Sequence, residues 1–308
     1  ARNIHRTLEG EDIGAMVEEL VKKTEEHESI HIIKNAAIID HGGKPGIYKT
    51  EVQGSLQKSN RWIEHGVTIM ATGALSNRPP QYLLGEHAAV LTQLDADRLI
   101  VDQPDKVKDR NKIVMIQCVG SRSPENPNCS RICCQAAIKN SLRILDLNPK
   151  ARIFVLYRDM RTSGLQEERY REARGRGVIF IPYDKDVPPR VETAGAQIRV
   201  TFHDPVLSRQ IALNADSLLL STGFVVDEAA SSQLANTFGL PRTRDGFFLE
   251  DHTKLMPVTL AKPGFFVAGT AHGPKTIRES VAQGQAAAAR AMAFLANEEL
   301  ISNIDFAY

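Results

Sequence analysis

The four cysteines of this chain lie within the 17 residues from position 118 to position 134, as Cys118, Cys129, Cys133 and Cys134. Their spacing is C-x10-C-x3-C-C, and no cysteine occurs elsewhere in the 308 residues. Four thiolates are the ligand set of a structural zinc ion or of an iron–sulfur cluster. Cysteines that only fill space in a core would be scattered, so the clustering predicts a metal centre.

Two other uses of these cysteines stay open from the residues alone. The adjacent Cys133 and Cys134 could form a vicinal disulfide or a redox pair, and all four could be inert buried thiols. Zinc sites usually contain two separated C-x2-4-C pairs, a pattern that adjacent cysteines match poorly. Among metal centres, the spacing therefore favours an iron–sulfur cluster over zinc.

The segments around the cysteines indicate how the thiols could converge. Lys112–Gln117 and Arg152–Tyr157 are apolar runs typical of buried strands, and Ser130–Leu147 has the periodicity of a helix between them. Cys118 would follow the first strand, and the other cysteines would lie at the start of the helix. These two places face the same crevice of a parallel α/β sheet, where ligands bind.

At the start of that helix, we expect Cys129 and Cys133 to share a face, because they are four residues apart. Cys134 would point about 100° away from them, so the first turn must bend to bring it in. After the second strand come Arg158, Asp159 and Arg161. Those charges either line the cluster or belong to a solvated loop.

Composition narrows the class of protein. Hydrophobic residues make up 42% of the chain, enough for a core, and the net charge of +1 gives no electrostatic case for nucleic acid. The sequence contains no run of 18 apolar residues and no signal-peptide pattern, so membrane spanning and secretion lose support. A cysteine cluster in a chain this long favours a reducing compartment, and we expect a cytoplasmic location.

Small-residue turns follow apolar strands at three places in the chain. They are Ala71–Gly73, Ser221–Gly223 and Ala268–Thr270, and the long alanine-rich helix predicted over Thr276–Leu295 comes soon after the third. Such turns are typical of flavoproteins with two dinucleotide-binding domains, at the crossings between domains beside the cofactor. The last residues, Glu298–Tyr308, are predicted to form an exposed tail.

Several strings together resemble a known family. They are IQCVGSRSPENPNCSRICC, VLYRDMRTSG, FFVAGTAHGPKTIRESVAQGQAAAARA, the opening IHRTLEGED and VTIMATGALSNRPPQYLLGE. The chain is similar to the A-type subunits of heterodisulfide reductase, which are flavin and iron–sulfur proteins. The resemblance implies an α/β, two-lobed fold of the thioredoxin-reductase type. Residues 1–110 would be part of an FAD-binding domain, 111–244 a dinucleotide-domain-like insert with the cysteines, and 245–308 the end of the FAD-binding domain.

The same resemblance implies two groups of cofactor residues. Cys118, Cys129, Cys133 and Cys134 match the family's cysteine motif and would ligate a [4Fe-4S] cluster. The FAD-binding residues would be Thr72, Gly73, Gly269, Thr270, Pro274, Lys275, Thr276 and Ser280. Lys275 could stabilise reduced flavin, while His272 lies within the same motif without an assigned role.

The chain also departs from the family's pattern. It contains no G-x-G-x-x-G, so the FAD fingerprint is expected ahead of residue 1 and the chain is expected to be an N-terminally truncated piece, inactive alone. Cys118-Val119-Gly120-Ser121 stands where a pyridine-nucleotide domain would have its glycine turn. Our hypothesis is that a cluster replaces the NAD(P)H site, so that electrons reach the flavin through iron–sulfur centres.

The function implied by the resemblance is that of an oxidoreductase component that passes electrons between FAD and a [4Fe-4S] cluster. Its partners would be other heterodisulfide-reductase-like subunits and an electron-donating hydrogenase or dehydrogenase, with a homodimer left open. Two alternatives remain. One is a flavin-dependent disulfide reductase that uses Cys133 and Cys134, and the other is a non-catalytic docking module.

Overall fold

The computed structural model describes residues 6–7, 11–54, 60–162 and 164–296 of the chain, so the predicted tail Glu298–Tyr308 and most of the opening string lie outside these residues. The helices are α1 (Ile13–Glu26), α2 (Gln93–Asp102), α3 (Pro104–Lys108), α4 (Cys133–Leu147), α5 (Gln166–Gly175), α6 (Glu228–Phe238) and α7 (Ile277–Leu295). Among the described residues, no helix is long and apolar enough to cross a membrane.

The strands alternate regularly with these helices over residues 90–182, and elsewhere most of them follow one another. They are β1 (Ala36–Lys44), β2 (Ile47–Gly54), β3 (Asn60–His65), β4 (Thr68–Met70), β5 (Leu75–Ser76), β6 (Val90–Thr92), β7 (Lys112–Ile116), β8 (Arg152–Tyr157), β9 (Ile179–Pro182), β10 (Arg190–Ala194), β11 (Gln197–Asp204), β12 (Arg209–Ala215), β13 (Ser217–Leu220), β14 (Phe224–Val225), β15 (Glu250–His252), β16 (Met256–Leu260) and β17 (Phe265–Val267).

The chain forms two compact units. Of the described residues, one unit contains Ser76–Phe224 and those up to Leu20, and the other contains Val21–Leu75 and those from Val225 onward. The boundaries between the units, after Leu75 and after Phe224, lie earlier in the chain than the predicted ones. The sequence predicted boundaries after residues 110 and 244. The first observed boundary falls earlier because β6 pairs in parallel with β13, which places residues 90–92 in the middle sheet. The assignment of the ranges to cofactor domains stays a prediction.

The first unit is built on a five-stranded parallel sheet of order β6-β13-β7-β8-β9. Alternate side chains of its strands point to opposite faces. On one face, Ile113 and Met115 pack among residues of α2 and α4. On the other, Val114 and Ile116 pack against residues such as Val200 of the antiparallel sheet β10-β11-β12.

The strand order reverses direction beside β7. From β7 the chain proceeds outward to β8 and then β9, whereas its other neighbour, β13, comes last of the five strands along the chain. A reversal of this kind creates a crevice at the carboxyl ends of the strands, and open α/β sheets bind ligands there. The segments that follow β7 and β13 therefore meet at the expected binding edge.

The described part of the second unit contains two small sheets, the helices α6 and α7, and the end of α1. One sheet has the order β15-β16-β17-β4, with β17 parallel to β4, and the other is the antiparallel sheet β1-β2-β3. The small residues Ala287 and Ala291 of α7 pack against Phe266 and Val258. Small side chains allow the helix to lie close to the strands that precede the predicted FAD motif.

The helix predicted over Ser130–Leu147 begins later, at Cys133. Arg131 has a left-handed backbone with φ of 58°, and the Ile132 N–H bonds to the Ser130 carbonyl, so a tight turn precedes the helix. Cys129 lies before this turn. The prediction that Cys129 and Cys133 share a helix face is therefore wrong, because the helix does not extend back to Cys129.

A hydrogen-bonded chain of polar side chains crosses the aromatic core of the second unit. His65 Nδ1 lies 3.0 Å from the Val67 carbonyl, Thr50 Oγ1 lies 2.7 Å from His65 Nε2, and His41 Nδ1 lies 3.0 Å from Thr50 Oγ1. If each donor points toward Val67, His41 is neutral with its proton on Nδ1. Its buried Nε2 has no hydrogen-bond partner among the described residues.

Burial among aromatic rings, followed by the charge of Lys262, lowers the pKa of His41 to about 4. Because this folded-state pKa is below the ordinary value near 6.5, neutral His41 stabilises the fold above pH 6.5, and that stability is lost as the pH falls toward 4. We expect the free energy of unfolding to decline over this window, by no more than ~1.4 kcal/mol per pH unit from this residue.

Urea unfolding at several pH values tests this. His41→Asn keeps a donor near Thr50 and removes the titrating ring, so its slope below pH 6.5 should be shallower than that of the unmodified chain. His203→Asn, at an exposed strand position, is the control and should leave the slope unchanged. Equal slopes for the His41→Asn variant and the unmodified chain would contradict the assignment.

Candidate iron–sulfur centre and flavin motif

The cysteines surround the edge of the parallel sheet where the strand order reverses. Cys118 comes two residues after β7, with a left-handed φ of 61°, and Cys133 and Cys134 begin α4. The Val119 N–H donates to the Ser221 carbonyl at 3.0 Å, which ties the loop after β7 to the loop after β13. The predicted convergence of the two segments is thus present in the structure.

The four sulfurs lie within electrostatic reach of one another. Burial is the largest cause that raises the pKa of Cys118, Cys133 and Cys134, and repulsion from neighbouring thiolates adds to it. For Cys133 that repulsion comes from each of the other three cysteines. Burial and this repulsion favour the protonated form of the Cys118, Cys133 and Cys134 thiols when no cation is bound. All four cysteines are free of disulfide bonds.

Hydrogen-bond donors point at three of the four sulfurs. The Arg131 N–H lies 3.4 Å from Cys129 Sγ, the Arg161 N–H lies 3.4 Å from Cys134 Sγ, and the guanidinium of Arg122 lies 3.8 Å from Cys118 Sγ. Donors of this kind favour the thiolate form and tune a cluster ligated by it. The surroundings of the cysteines are therefore arranged for negatively charged sulfur.

The charged loop after β8 lies against the cysteines. The Asp159 carbonyl accepts from Cys134 Sγ at 3.7 Å, and its carboxylate pairs with Arg122 at 2.5 Å. Arg158 donates to the carbonyl of Arg122 at 2.9 Å. The sequence left open whether the charges of this loop line the cluster or belong to a solvated loop. These contacts favour charges that line the cysteine site. Arg122 was missed, although the motif C-x3-R was visible.

The donor set fits an iron–sulfur cluster. Among the residues that the structure describes, no three His, Cys, Asp or Glu side chains form a group that could hold one metal ion. The ligands of a four-iron cluster lie farther apart than those of a single ion, because each thiolate binds a different iron. Four converging thiols, donors directed at them and an excess of nearby arginine match that requirement. The ligand assignment itself stays a prediction.

A cavity of about 100 Å³ adjoins Cys133 in the first unit. Asn140 Oδ1 and Ser221 Oγ, both on residues that line it, are buried and have no hydrogen-bond partner among the described residues. Asp97 and Lys139 form a buried ion pair at 2.8 Å on the same lining. Unsatisfied buried oxygens are costly, so this cavity suits a ligand or water with donor groups.

The predicted FAD residues come together in the second unit. Because β4 and β17 are parallel neighbours, the turns after them lie side by side, with the Ala268 N–H donating to the Met70 carbonyl at 3.0 Å. Gly73, with φ of 81°, lies near Thr270, since a Cβ at this glycine would be 3.8 Å from Thr270 Oγ1. Thr72 immediately precedes Gly73 in the same turn.

The remaining motif residues surround the start of α7. Thr276 caps this helix in a capping box with Glu279, and Ser280 Oγ donates to the Thr276 carbonyl at 2.9 Å. Pro274 and Lys275 form the connection that precedes the cap. The positive end of a helix dipole favours anionic groups, so this helix start is compatible with the phosphate or anionic flavin edge that the FAD prediction requires.

A supporting network beneath this motif was not predicted from the sequence. Gln283 Oε1 accepts from the Gly269 N–H at 3.0 Å, and its Nε2 lies 2.9 Å from His272 Nδ1. His272 Nε2 lies 3.5 Å from the buried carboxylate of Glu250. Burial and then the charge of Lys275 lower the pKa of His272. The network holds the turn at Gly269, and His272 is part of the packing rather than an isolated loop histidine.

The fold is that of the flavin disulfide reductases of the thioredoxin-reductase type. The structure of thioredoxin reductase from T. acidophilum superposes with a TM-score of 0.56 over 93% of this chain and 81% of that one, at 12% sequence identity. The prediction of an α/β, thioredoxin-reductase-like fold is thereby confirmed. No family model matches the sequence.

Curated relatives give the family. The chain is 34% identical over 293 residues to the second A-type iron-sulfur subunit of CoB–CoM heterodisulfide reductase from Methanopyrus kandleri, a match that covers 88% of this chain and 42% of that relative. It is 35% identical over 246 residues to the A-type subunit of the H2:CoB–CoM heterodisulfide,ferredoxin reductase of Methanothermobacter thermautotrophicus, covering 74% and 37%. The chain belongs to this family, the A-type subunits of heterodisulfide reductase, and spans about two fifths of the length of these relatives.

Proposed function

We propose that this chain is the part of an oxidoreductase subunit that transfers electrons between FAD and a [4Fe-4S] cluster. When bound, these groups supply two-electron and one-electron redox chemistry. Cys118, Cys129, Cys133 and Cys134 would hold the cluster. Thr72, Gly73, Gly269, Thr270, Pro274, Lys275, Thr276 and Ser280 would bind the flavin.

One observation carries the proposal, the convergence of four free thiols at the edge of a parallel sheet where a dinucleotide would ordinarily bind. Cys118 and Gly120 occupy the turn that follows β7, beside the reversal of strand order. A pyrophosphate bound at that turn would need a close approach to a glycine-rich backbone. A turn that carries Cys118 in place of a glycine fingerprint supports entry of electrons through iron–sulfur centres rather than by hydride transfer from NAD(P)H.

Partners are proposed from the names of the relatives. The relative from M. thermautotrophicus is named for H2, a heterodisulfide and ferredoxin, and one from Methanosarcina mazei is named for ferredoxin and the CoB–CoM heterodisulfide. We propose that this chain likewise works in a cytoplasmic complex with heterodisulfide-reductase-like subunits and an electron donor such as a hydrogenase, a dehydrogenase or a ferredoxin.

Anaerobic redox titration tests the proposal. The purified chain is reconstituted with iron and sulfide, supplied with FAD and titrated with dithionite while its visible spectrum is recorded. We expect bleaching of both the cluster and the flavin absorbance, and no saturable oxidation of NADPH by the same preparation. Saturable NADPH oxidation with an intact cluster would contradict the proposed replacement of the pyridine-nucleotide site.

A matched pair of glycine variants tests the flavin part. Gly269 and Gly239 both have φ of 67°, so replacement by alanine imposes a similar backbone cost at each. Gly269 lies in the predicted FAD motif, whereas Gly239 ends α6. We expect Gly269→Ala to weaken FAD binding at least tenfold, measured by quenching of flavin fluorescence, and Gly239→Ala to leave it unchanged. Equal affinities for both variants would contradict the assignment.

A further inference from the structure

The side chain of Arg122 contacts both a candidate cluster ligand and the loop after β8. Its guanidinium lies 3.8 Å from Cys118 Sγ through Nη1 and 2.5 Å from the Asp159 carboxylate through Nη2. Asp159 also accepts a hydrogen bond from the Cys134 thiol through its carbonyl. The planar guanidinium of Arg122 thus links the segment that carries Cys118 to the segment that contacts Cys134.

The backbone of Arg122 is held in place as firmly as its side chain. It has a left-handed φ of 55°, a conformation that is disfavoured for any residue with a Cβ. Its N–H donates to the Asn128 carbonyl at 3.2 Å, and its carbonyl accepts from Arg158 Nη1 at 2.9 Å. Such a conformation persists where the surroundings determine it, often at functional sites.

Arg158, which holds that carbonyl, is itself fixed beside the cysteine loop. Its guanidinium lies 5.8 Å from the centre of the Tyr183 ring, and the Tyr183 hydroxyl donates to the Gln117 carbonyl at 2.7 Å. Gln117 directly precedes Cys118. Two arginines and a tyrosine therefore form a continuous set of contacts around one cysteine.

We propose that Arg122 is a positioning residue for Cys118 that donates a charge-assisted hydrogen bond to its sulfur and raises the reduction potential of the cluster. The inference rests on the proposed function, because it assigns a role toward the group that the cysteines would hold. A positive charge and a hydrogen bond at a ligand sulfur both stabilise the reduced cluster, which carries one more negative charge. Asp159 orients the guanidinium of Arg122, because its carboxylate accepts a hydrogen bond from Nη2 while Nη1 faces Cys118 Sγ.

Arg161 supplies a matched control. Its guanidinium also pairs with the Asp159 carboxylate, at 3.9 Å, but its contact with a sulfur comes from the backbone N–H. Removing the Arg161 side chain therefore deletes one nearby positive charge and leaves the backbone contact with sulfur intact. Comparison of the two arginines separates the positioning of Cys118 from a general effect of charge.

The experiment measures the midpoint potential and the iron content of the reconstituted chain, by redox titration followed by electron paramagnetic resonance. For Arg122→Gln we expect retained iron and a negative shift equal to about a tenfold change in the reduction equilibrium, which is ~59 mV for one electron. Arg122→Lys should shift the midpoint potential less, because lysine keeps the positive charge and loses only the two-sided hydrogen bonding of the guanidinium. Arg161→Gln should shift by less than half as much as Arg122→Gln.

Two results would overturn the inference while the proposed function stands. One is an iron-loaded Arg122→Gln variant with the potential of the unmodified chain, and the other is an equal or larger shift in Arg161→Gln. If Arg122→Gln loses its iron, the inference is tested by the rate at which the other two variants release iron to a chelator. It predicts faster release from Arg122→Lys than from Arg161→Gln, and equal or slower release would overturn it. An unmodified chain that takes up no iron would overturn the proposed function and this inference together.

Discussion

Replacement of Cys133 with alanine is expected to remove most of the iron from the reconstituted chain, together with its visible absorbance. The Cys133 thiol lies at the start of α4, within electrostatic reach of the other three cysteines. A cluster ligated by four thiolates loses a bond to one iron when any one of them is deleted. Iron analysis after anaerobic reconstitution measures the effect.

The matched variant is Cys118→Ala, at the other end of the motif. If the cysteines hold a cluster, Cys118→Ala should lose iron to the same extent as Cys133→Ala, because both residues are ligands. If Cys133 and Cys134 instead form a redox pair, Cys118→Ala should leave their reactivity with a thiol reagent intact. Iron retention in either variant at the level of the unmodified chain would contradict the four-cysteine assignment.

Gly223→Ala is expected to damage both stability and iron uptake. Gly223 has φ of 74°, and a Cβ there would lie 3.0 Å from Ser130 Cβ, closer still to Ser130 Oγ, and 3.7 Å from Cys133 Sγ. Ser130 is buried next to Cys129 and accepts from the Phe224 N–H at 2.9 Å. The added methyl group would therefore push on the turn that carries the cysteines.

Gly195→Ala separates backbone strain from this collision. Gly195 has φ of 66° and open space around its missing Cβ, so alanine there should cost only about 1–2 kcal/mol of backbone strain. Gly223→Ala should cost ~1–3 kcal/mol more, the usual penalty of overpacking, and should lower the iron content. Denaturant unfolding and iron analysis measure both effects. Equal stability of the two variants would contradict the packing described around Ser130.

The elements that carry the cysteines could be predicted because their apolar runs are bounded by clear turn signals. Arg152–Tyr157 is a strand with the expected bounds, and the strand predicted over Lys112–Gln117 ends one residue earlier, at Ile116. These runs are buried on both faces of the sheet, so nearly every residue in them is apolar. The place of Cys118 after its strand followed directly from this pattern.

Tertiary contacts decided what the sequence could not show. The left-handed backbone of Arg131 separates Cys129 from α4, and arginine gives no signal for such a conformation. The contact between Arg122 and Asp159 joins residues 37 positions apart, which no local pattern reveals. The boundary of the first unit depends on the pairing of β6 with β13, strands distant in the chain.

The flavin motif could be predicted from the sequence only in part. The turns at Gly73 and Gly269 were recognised by their composition, and the parallel pairing of β4 and β17 places them together. The residues that support the second turn, Gln283 and Glu250, carry no motif of their own. They are found only through their contacts with Gly269 and His272.

The most direct test of the central claim is the iron, sulfide and zinc content of the chain purified without oxygen, measured together with its visible spectrum. We expect about four irons and about four sulfides per chain, bound by the four cysteines, and no stoichiometric zinc. One zinc per chain, or neither metal with four freely titrating thiols, would contradict the assignment of an iron–sulfur cluster.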